Sequence, residues 1–524
     1  MNEFVQRHAS KVIGMLCGFD RMLFRGTLRR LANVSGMSQW LWVKQVLLKE
    51  FGQWSQALSE RVREASEGVV GEAGRPMQYL NDSSLCKEQL ARQIAERDRI
   101  SSGLVCQFSA VEPCWSYDIH RNRAEKKLEL VARQRKCLHL YHYFVHDEVG
   151  FGHVRLQTWL PFNVKVCLNG REWLARQMEA AGIEYVQRDN CFTWVSNVAQ
   201  AQALLDEQLQ TDWVKLLEGM RELVLPGYEQ ILGAESPQYY WSLDQSEWAS
   251  DVMFKRAAEL SGLYPKLIVQ GMRTLGSREV MRFLGRRVPA HGGIHAHFQG
   301  EVVSDLRQRV EGIRLKHRVN GNSVKMYDKQ GSVLRVETTI NHPREFKVYR
   351  KVESDPQSKP AWRKLRKGVA DVHRRAQVSQ ACNQRYLESL ATIECDVTVA
   401  QLLVPLSRAV NQSGRRYRGL RVLEEQDGKL LEAIARGEWS INGFTNADLR
   451  PLLLGAEQPN ADIKERRRRS GMISRKLALL RAHGLIHRVN RTKRWILTAA
   501  GRQTTTLLSI AKSESAHHLL ENAA

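Results

Sequence analysis

The sequence predicts an α+β, multidomain protein: a helical N-terminal part, two β-containing α+β domains, and a C-terminal unit of helices carrying a short hairpin. Three observations carry this. The chain has 524 residues, room for three or four domains at about 150 residues each. Its 43% hydrophobic and 8% aromatic content supplies ordinary cores and excludes global disorder. Stretches of β-branched and aromatic residues with period-two alternation are interleaved with stretches of helical periodicity.

Taken in order, residues 1–102 read as mostly helical. Leu41, Val43, Val46, Leu47 and Phe51 form an apolar face, and a charged helical stretch, Glu60–Glu67, is broken by Gly68, Gly71, Gly74 and Pro76. Val12–Phe19 is a short apolar run that enters Asp20-Arg21 directly, so it reads as a strand or core helix and not as a signal peptide. Residues 103–200 form an α+β domain: strands at Leu104–Phe108, Leu138–Val145 and His153–Trp159, a helix at Glu172–Ala181 started by Asn169-Gly170 and stopped by Gly182, then short strands at Ile183–Val186 and Phe192–Val195. Residues 201–295 read as a helical connector, with an amphipathic helix pair over Ala201–Val224 and a glycine-rich boundary at Gly285–Gly300. Residues 296–400 form a second α+β domain, β-rich from Gly312 to Tyr349 and helical from Trp362 to Ala391. The last domain spans 420–524.

The formal net charge is +23, unevenly placed: residues 1–300 carry +4 and residues 301–524 carry +19. A polyanion binder needs such a field, because each neutralised phosphate releases counterions, whereas an enzyme for small substrates does not. No apolar run approaches the roughly 18 residues that span a bilayer, so no membrane partner is expected. The nine cysteines include no CxxC pair, and Cys106, Cys114, Cys137, Cys167 and Cys191 read as reduced cysteines of a cytoplasmic protein.

The C-terminal domain holds the densest charge. A helix over Glu424–Arg436 places Leu430, Leu431 and Ile434 inward, and Thr445-Asn446-Ala447-Asp448 starts a second helix. A third, about Lys464–His483, sets Lys464, Arg466, Arg467, Arg468, Arg469, Arg475, Lys476 and Arg481 around Ile473, Leu477 and Leu480. Leu485–Val489 and Arg494–Leu497 then form a hairpin with Arg488, Arg491, Lys493 and Arg494 at or near its tip. Residues 464–494 hold twelve basic side chains and one acidic. With Leu479–Ile486 and Arg494–Gly501 as its most telling words, this segment resembles winged-helix regulators of the MarR type. The resemblance implies the third helix in the major groove of DNA and the hairpin tip against the minor groove or backbone.

The densest chemistry lies in Lys316–Glu337. Ser323–Tyr327 and Val333–Ile340 have strand composition around a turn at Asp328–Gly331. Lys325 and Tyr327 share one face of their strand and Arg335 and Glu337 one face of theirs, so the hairpin gathers a phenol, a carboxylate and two cations. Phosphodiester chemistry uses that inventory: a nucleophile or metal-ligating carboxylate, plus cations for the pentavalent phosphate. A structural hairpin tied by a salt bridge is the other reading. The Lys-x-Tyr-Asp-Lys … Arg-x-Glu pattern resembles rolling-circle replication initiators of plasmids and filamentous phages. Those enzymes nick and join DNA with a metal ion and a tyrosine nucleophile, which implies roles for Lys325, Tyr327, Asp328, Lys329, Arg335 and Glu337. Tyr349 and Tyr386 are alternative nucleophiles. His295-Ala296-His297 has the His-hydrophobe-His form that holds the metal in many such enzymes, so His295, His297 and Glu337 are the expected ligands for Mg²⁺ or Mn²⁺. Surrounding glycines leave strand or loop open there. No GxxxxGK[ST] occurs, so no nucleotide site is expected.

Asp20, Glu112 and Asp118 are an inventory that a ribonuclease-H-like nuclease would use. His139, His142, His146 and His153 read as partly buried strand histidines. The expectation is a cytoplasmic, bacterial-type DNA-binding protein of a plasmid, phage or transposon that finds a site with its winged helix and nicks or joins strands. The alternative is a non-enzymatic transcription or replication regulator. DNA is the expected partner, RNA is compatible with the charge, and a homodimer is an expected assembly.

Overall fold

The computed structural model describes residues 2–82, 84–233, 235–285, 301–352, 355, 357–391, 399–436, 439, 443–456, 462–489 and 492–513. The fold is α+β with several sheets. No described helix is long and apolar enough to cross a membrane.

One 11-stranded sheet organises residues 12–340. Its strands are β1 (Val12–Leu28), β2 (Met77–Tyr79), β3 (Gly103–Asn122), β4 (Lys127–His146), β5 (Gly150–Gln157) and β6 (Val164–Asn169). A separate hairpin, β7 (Tyr185–Arg188) and β8 (Cys191–Val195), follows before β9 (Tyr239–Phe254). The sheet then closes with β10 (Val302–Arg309), β11 (Gly312–Val319), β12 (Asn322–Lys329) and β13 (Val333–Ile340). The spatial order is β10-β11-β12-β13-β9-β1-β6-β5-β4-β3-β2. All neighbours are antiparallel except β2 and β3.

Of the two central strands, β1 settles as strand a segment that left strand or core helix open, and β9 lies where helix was expected. In the region 1–102, Val12–Phe19 is the first half of the 17-residue β1. In the supposed helical connector 201–295, β9 runs 16 residues as Tyr-Tyr-Trp-Ser-Leu-Asp-Gln-Ser-Glu-Trp-Ala-Ser-Asp-Val-Met-Phe. Its period-two pattern is masked by carboxylates that face a buried site instead of solvent. The sheet therefore joins the regions 103–200 and 296–400 through β1 and β9. The helix expected to break at Gly68 runs on through it, as Phe51–Glu72. An exposed helical glycine costs only about 1 kcal/mol against alanine, and packing of Leu58, Val62 and Val70 overrides it.

The back of β9 and β13 is covered by the helix Val372–Leu390, whose apolar face joins Leu315, Val324, Met326, Leu334 and Val336 in one core. Asn383 on that helix binds the sheet four ways: its Nδ2 donates to the carbonyls of Trp248 (3.0 Å) and Val336 (2.9 Å) and to Ser250 Oγ (3.1 Å), and its Oδ1 accepts from Thr338 Oγ1 (2.6 Å).

The C-terminal part has its own core around Leu430, Ile434, Phe444, Leu449, Ile473 and Leu480. Three helices, Glu425–Ile434, Asn446–Leu454 and Ile463–Ala482, precede the paired strands Ile486–Arg488 and Trp495–Leu497 and a last helix, Ala499–Ser513. The second helix begins with a capping box in which Thr445 and Asp448 each satisfy the other's backbone N–H. Phe444 forms an isolated antiparallel bridge to Trp495 beside the hairpin.

Candidate active site

Side chains alternate across a strand, so residues 325, 327 and 329 of β12, 335 and 337 of β13, and 247, 249 and 251 of β9 share the sheet face opposite the Val372–Leu390 helix. The register sets Lys325 directly against Glu337, Tyr327 against Arg335, and Arg335 against Asp251. The hairpin thus assembles as its two-residue period implies. Its turn is three residues long, with Gln330 (φ 53°) and Gly331 (φ 70°) left-handed.

Next to β9, strand β1 carries a bulge. Phe19 pairs with Trp248 and Met22 with Ser246, so Asp20 and Arg21 together oppose the single residue Glu247. The extra residue re-aims the chain and brings Asp20 to the acidic side chains of β9 and β13. The following elements hold it there. Asn169 caps the helix Gly170–Ala180 by accepting from the Arg171 N–H. Gly170 sits so close to β1 that a Cβ would come within 2.0 Å of the Phe19 carbonyl oxygen. That contact aims Arg171 at Asp251 (2.9 Å).

Oxygen atoms of Asp20, Glu247 and Glu337 all lie within 4.8 Å of one another. Lys325 Nζ donates to Glu337 Oε1 at 2.6 Å and to Glu247 Oε1 at 3.3 Å. Arg335 grips both oxygens of Asp251 (2.6 and 2.8 Å), reaches Asp20 Oδ2 (2.9 Å) and donates to the Asn190 carbonyl in the β7–β8 turn (2.6 Å). Asn190 also donates to Asp20 Oδ2 at 2.7 Å. Asp20 Oδ1, by contrast, is buried with no hydrogen-bond partner among the described residues. Asp20 and Glu247 line a cleft of about 480 Å³ whose walls include Arg21, Arg92, His153 and Lys329.

Burial pushes the carboxyls of Asp20 and Glu247 up, and the charge of Glu337 adds to both shifts. Burial also disfavours ionised Glu337, but Lys325 and Arg335 outweigh it and hold that carboxyl below its usual range. Asp251 is likewise held low against burial by Arg335 and Arg171. The Tyr327 phenol is pushed up by burial and by Glu337. Three crowded carboxylates, two of them reluctant to ionise and one with an orphaned oxygen, form a hard-oxygen donor set that fits Mg²⁺ or Mn²⁺.

Several expected roles change. Asp328 lies in β12 on the opposite face from Lys325 and Tyr327, outside the cluster, because strand alternation turns it away. Arg335 is 1% exposed and wholly committed to Asp251, Asp20 and Asn190, so it positions Asp20 and is closed to substrate. Tyr386 is fully buried on the back helix, hydrogen-bonded to His317 Nε2 (3.1 Å), and Tyr349 sits under the Arg494 guanidinium (3.7 Å) in another sheet. His295 and His297 lie outside the described residues. Glu112 and Asp118 do not meet Asp20. Glu112 binds Tyr141 (2.6 Å), Lys87 (3.4 Å) and Arg155 (3.5 Å), and Asp118 pairs with Arg133 and Arg135. Glu247 and Asp251, absent from the sequence-based set, were hidden in the strand mistaken for helix.

In the C-terminal part, Lys464, Arg467, Arg475, Arg481 and Lys493 are exposed with no ion pair among the described residues, and Arg466, Lys476 and Arg488 lie on the same helix and hairpin. Arg468 pairs with Glu465 (2.7 Å), and Arg469 donates to the carbonyls of Leu454 and Gly455. Arg494 turns inward, onto the Gly443 carbonyl (2.9 Å) and the ring of Tyr349, because that aromatic face and bare carbonyl lie beneath it. Arg491 lies outside the described residues.

Comparison with protein-family models, curated proteins and solved structures finds no match to this chain.

Proposed function

We propose that this chain is a metal-dependent DNA strand-nicking and joining protein of a bacterial mobile element, acting in the cytoplasm, with a C-terminal winged helix that selects the DNA site. The observation that carries the reading is the convergence of Asp20, Glu247 and Glu337 beside Lys325, with Asp20 Oδ1 buried and unpartnered at the edge of an open cleft. In this reading the three carboxylates hold Mg²⁺ or Mn²⁺, which when bound would act as a Lewis acid on a phosphoryl oxygen.

The chain's own groups do the rest. Tyr327, on the same face as Lys325 and opposite Arg335, is the nucleophile: its Oη forms a bond to phosphorus while the bond from phosphorus to the 3′ oxygen breaks. Glu337, on the facing strand and the same sheet face as Tyr327, receives the phenolic proton, and the departing 3′ oxygen takes a proton from water and leaves as a hydroxyl. Arg314, which faces Tyr327 across the β11–β12 register, and Lys325 stabilise the phenolate and the charged phosphate. Reversal of the step rejoins the strand.

The winged-helix part of the reading rests on element order, on the isolated Phe444–Trp495 bridge beside the hairpin, and on the exposed cations of the helix Ile463–Ala482.

The test incubates the purified protein with supercoiled DNA carrying its cognate site and Mg²⁺ or Mn²⁺. Nicked circles and a covalent protein–DNA adduct are expected from wild type, no adduct from Tyr327→Phe, and neither product from Glu337→Ala. Wild type that binds this DNA but leaves it intact in both metals refutes the enzymatic reading. One observation favours the second reading, a non-enzymatic regulator: Lys325 and Arg335 already give each of the clustered carboxylates a cation, as a structural network requires.

A further inference from the structure

A second cluster of ligand-type atoms lies far along the sheet, on β3 and β4. The register sets Glu112 against Cys137, Cys114 against Arg135, and Ala110 against His139, so Cys114, Cys137 and His139 lie along one face of the two-stranded ladder. The sulfurs of Cys114 and Cys137 are 3.0 Å apart and unbonded, and the His139 ring nitrogens are 3.9 and 4.0 Å from Cys137 Sγ. One ligand atom from each of the three lies within 4.8 Å of the other two. His139 is almost fully buried, and its Nδ1 is 3.2 Å from the Cys137 carbonyl oxygen. That carbonyl accepts from Nδ1–H, which leaves the Nε2 lone pair free in the manner of a metal-ligating histidine oriented by a backbone carbonyl.

We propose that Cys114, Cys137 and His139 bind one thiophilic cation of the zinc class. Two sulfurs and one imidazole select such an ion over Mg²⁺ or Mn²⁺, the reverse of the all-oxygen cluster at Asp20. Zinc–sulfur and zinc–nitrogen distances of about 2.3 and 2.0 Å reach all three atoms after small side-chain adjustments. Binding releases the thiol protons to solvent. Glu112, beside the site, is committed to Tyr141 and Arg155, so water takes the fourth position. The site marks the point where two strands leave the sheet: β5 pairs with β4 only over His139–His146, and before His139 the partner of β4 is β3. An ion here staples the root of that ribbon, beyond which Trp115 stands 63% exposed beside the exposed Arg133, Arg135 and Lys136.

The experiment uses the full-length protein, stripped of metal and kept reduced, titrated with Co²⁺ and then with Zn²⁺. One equivalent of Co²⁺ is expected to produce a thiolate-to-cobalt charge-transfer band that Zn²⁺ displaces. The band should persist in Asp20→Asn, vanish in Cys114→Ser and Cys137→Ser, and require at least about tenfold more metal in His139→Asn. X-ray absorption of the zinc-loaded wild type should show two sulfurs at roughly 2.3 Å, a reading that needs no variant to fold. Absence of the band from wild type with free thiols, its survival in Cys137→Ser, or a shell of oxygen and nitrogen alone overturns the proposal.

Discussion

Replacing Lys325 with methionine removes a cation that touches both Glu337 and Glu247 while keeping most of its volume. Lys325 is 10% exposed at the side chain, against 5% for Glu337 and 17% for Glu247, so the charges it leaves behind are shielded from solvent. Breaking a buried pair by removing one partner costs about 3–5 kcal/mol. A single unit charge about 4 Å away at an effective dielectric of about 20 gives a similar figure, about 4 kcal/mol. The pH dependence follows from the two kinds of carboxyl. In wild type Glu337 is held low, so its contribution is present above its unfolded value of about 4.3 and is lost as pH falls through the folded value. Without Lys325, Glu337 joins Asp20 and Glu247 among acids pushed up by burial, and such groups lose stability as pH rises through their raised values. Lys325→Met is therefore about 4 kcal/mol less stable than wild type near pH 7.5, and the gap closes toward pH 4.5. Urea unfolding followed by tryptophan fluorescence at both pH values measures it. A loss under about 1 kcal/mol, or a gap that does not change with pH, refutes the reasoning.

Metal should stabilise the sheet through the acid cluster. Mg²⁺ or Mn²⁺ at a hundredfold excess over its Kd adds roughly 2.7 kcal/mol, read as a rise in Tm that disappears in Asp20→Asn and Glu247→Gln; a rise that survives both places the ion elsewhere. On the back of the sheet, Asn383→Ala strands the Thr338 hydroxyl and two backbone carbonyls and should cost about 3 kcal/mol, with the metal-induced shift retained; an unchanged Tm counts against the four-way anchor. In the C-terminal part, Arg475→Ala, Lys476→Ala and Arg481→Ala together should weaken DNA binding and flatten its salt dependence by about three charges; identical salt slopes move the DNA contact off that helix.

The β12–β13 hairpin was legible because its chemistry is local. Lys325-x-Tyr327 and Arg335-x-Glu337 are each two residues apart, and strand geometry converts that spacing into a shared face. The rest of the cluster was not legible for a physical reason. Asp20 reaches it through a bulge in β1, and Glu247 and Asp251 reach it from β9, whose alternation hides when the inward residues are charged. Period-two hydrophobicity marks strands only where the buried face is apolar. The Cys114–Cys137–His139 group escaped similarly, because zinc-type spacing rules describe ligands close in sequence, whereas here a ladder brings together residues 23 apart. The C-terminal helices and hairpin were the most legible part, since their caps and apolar stripes are all local signals.

The bond between Arg335 and Asp20 joins residues 315 positions apart. During synthesis, β1 leaves the ribosome long before either strand that completes its neighbourhood, and Asp20 must wait for Arg335 of β13 before its burial is compensated. The first two hundred residues can form the β3–β6 meander early, but the edge of β1 stays open until β9 arrives, a template for wrong pairing in the interval. A nascent or prematurely ended chain therefore carries no assembled acid cluster, and the wait for its last strand is a natural point for chaperone dependence.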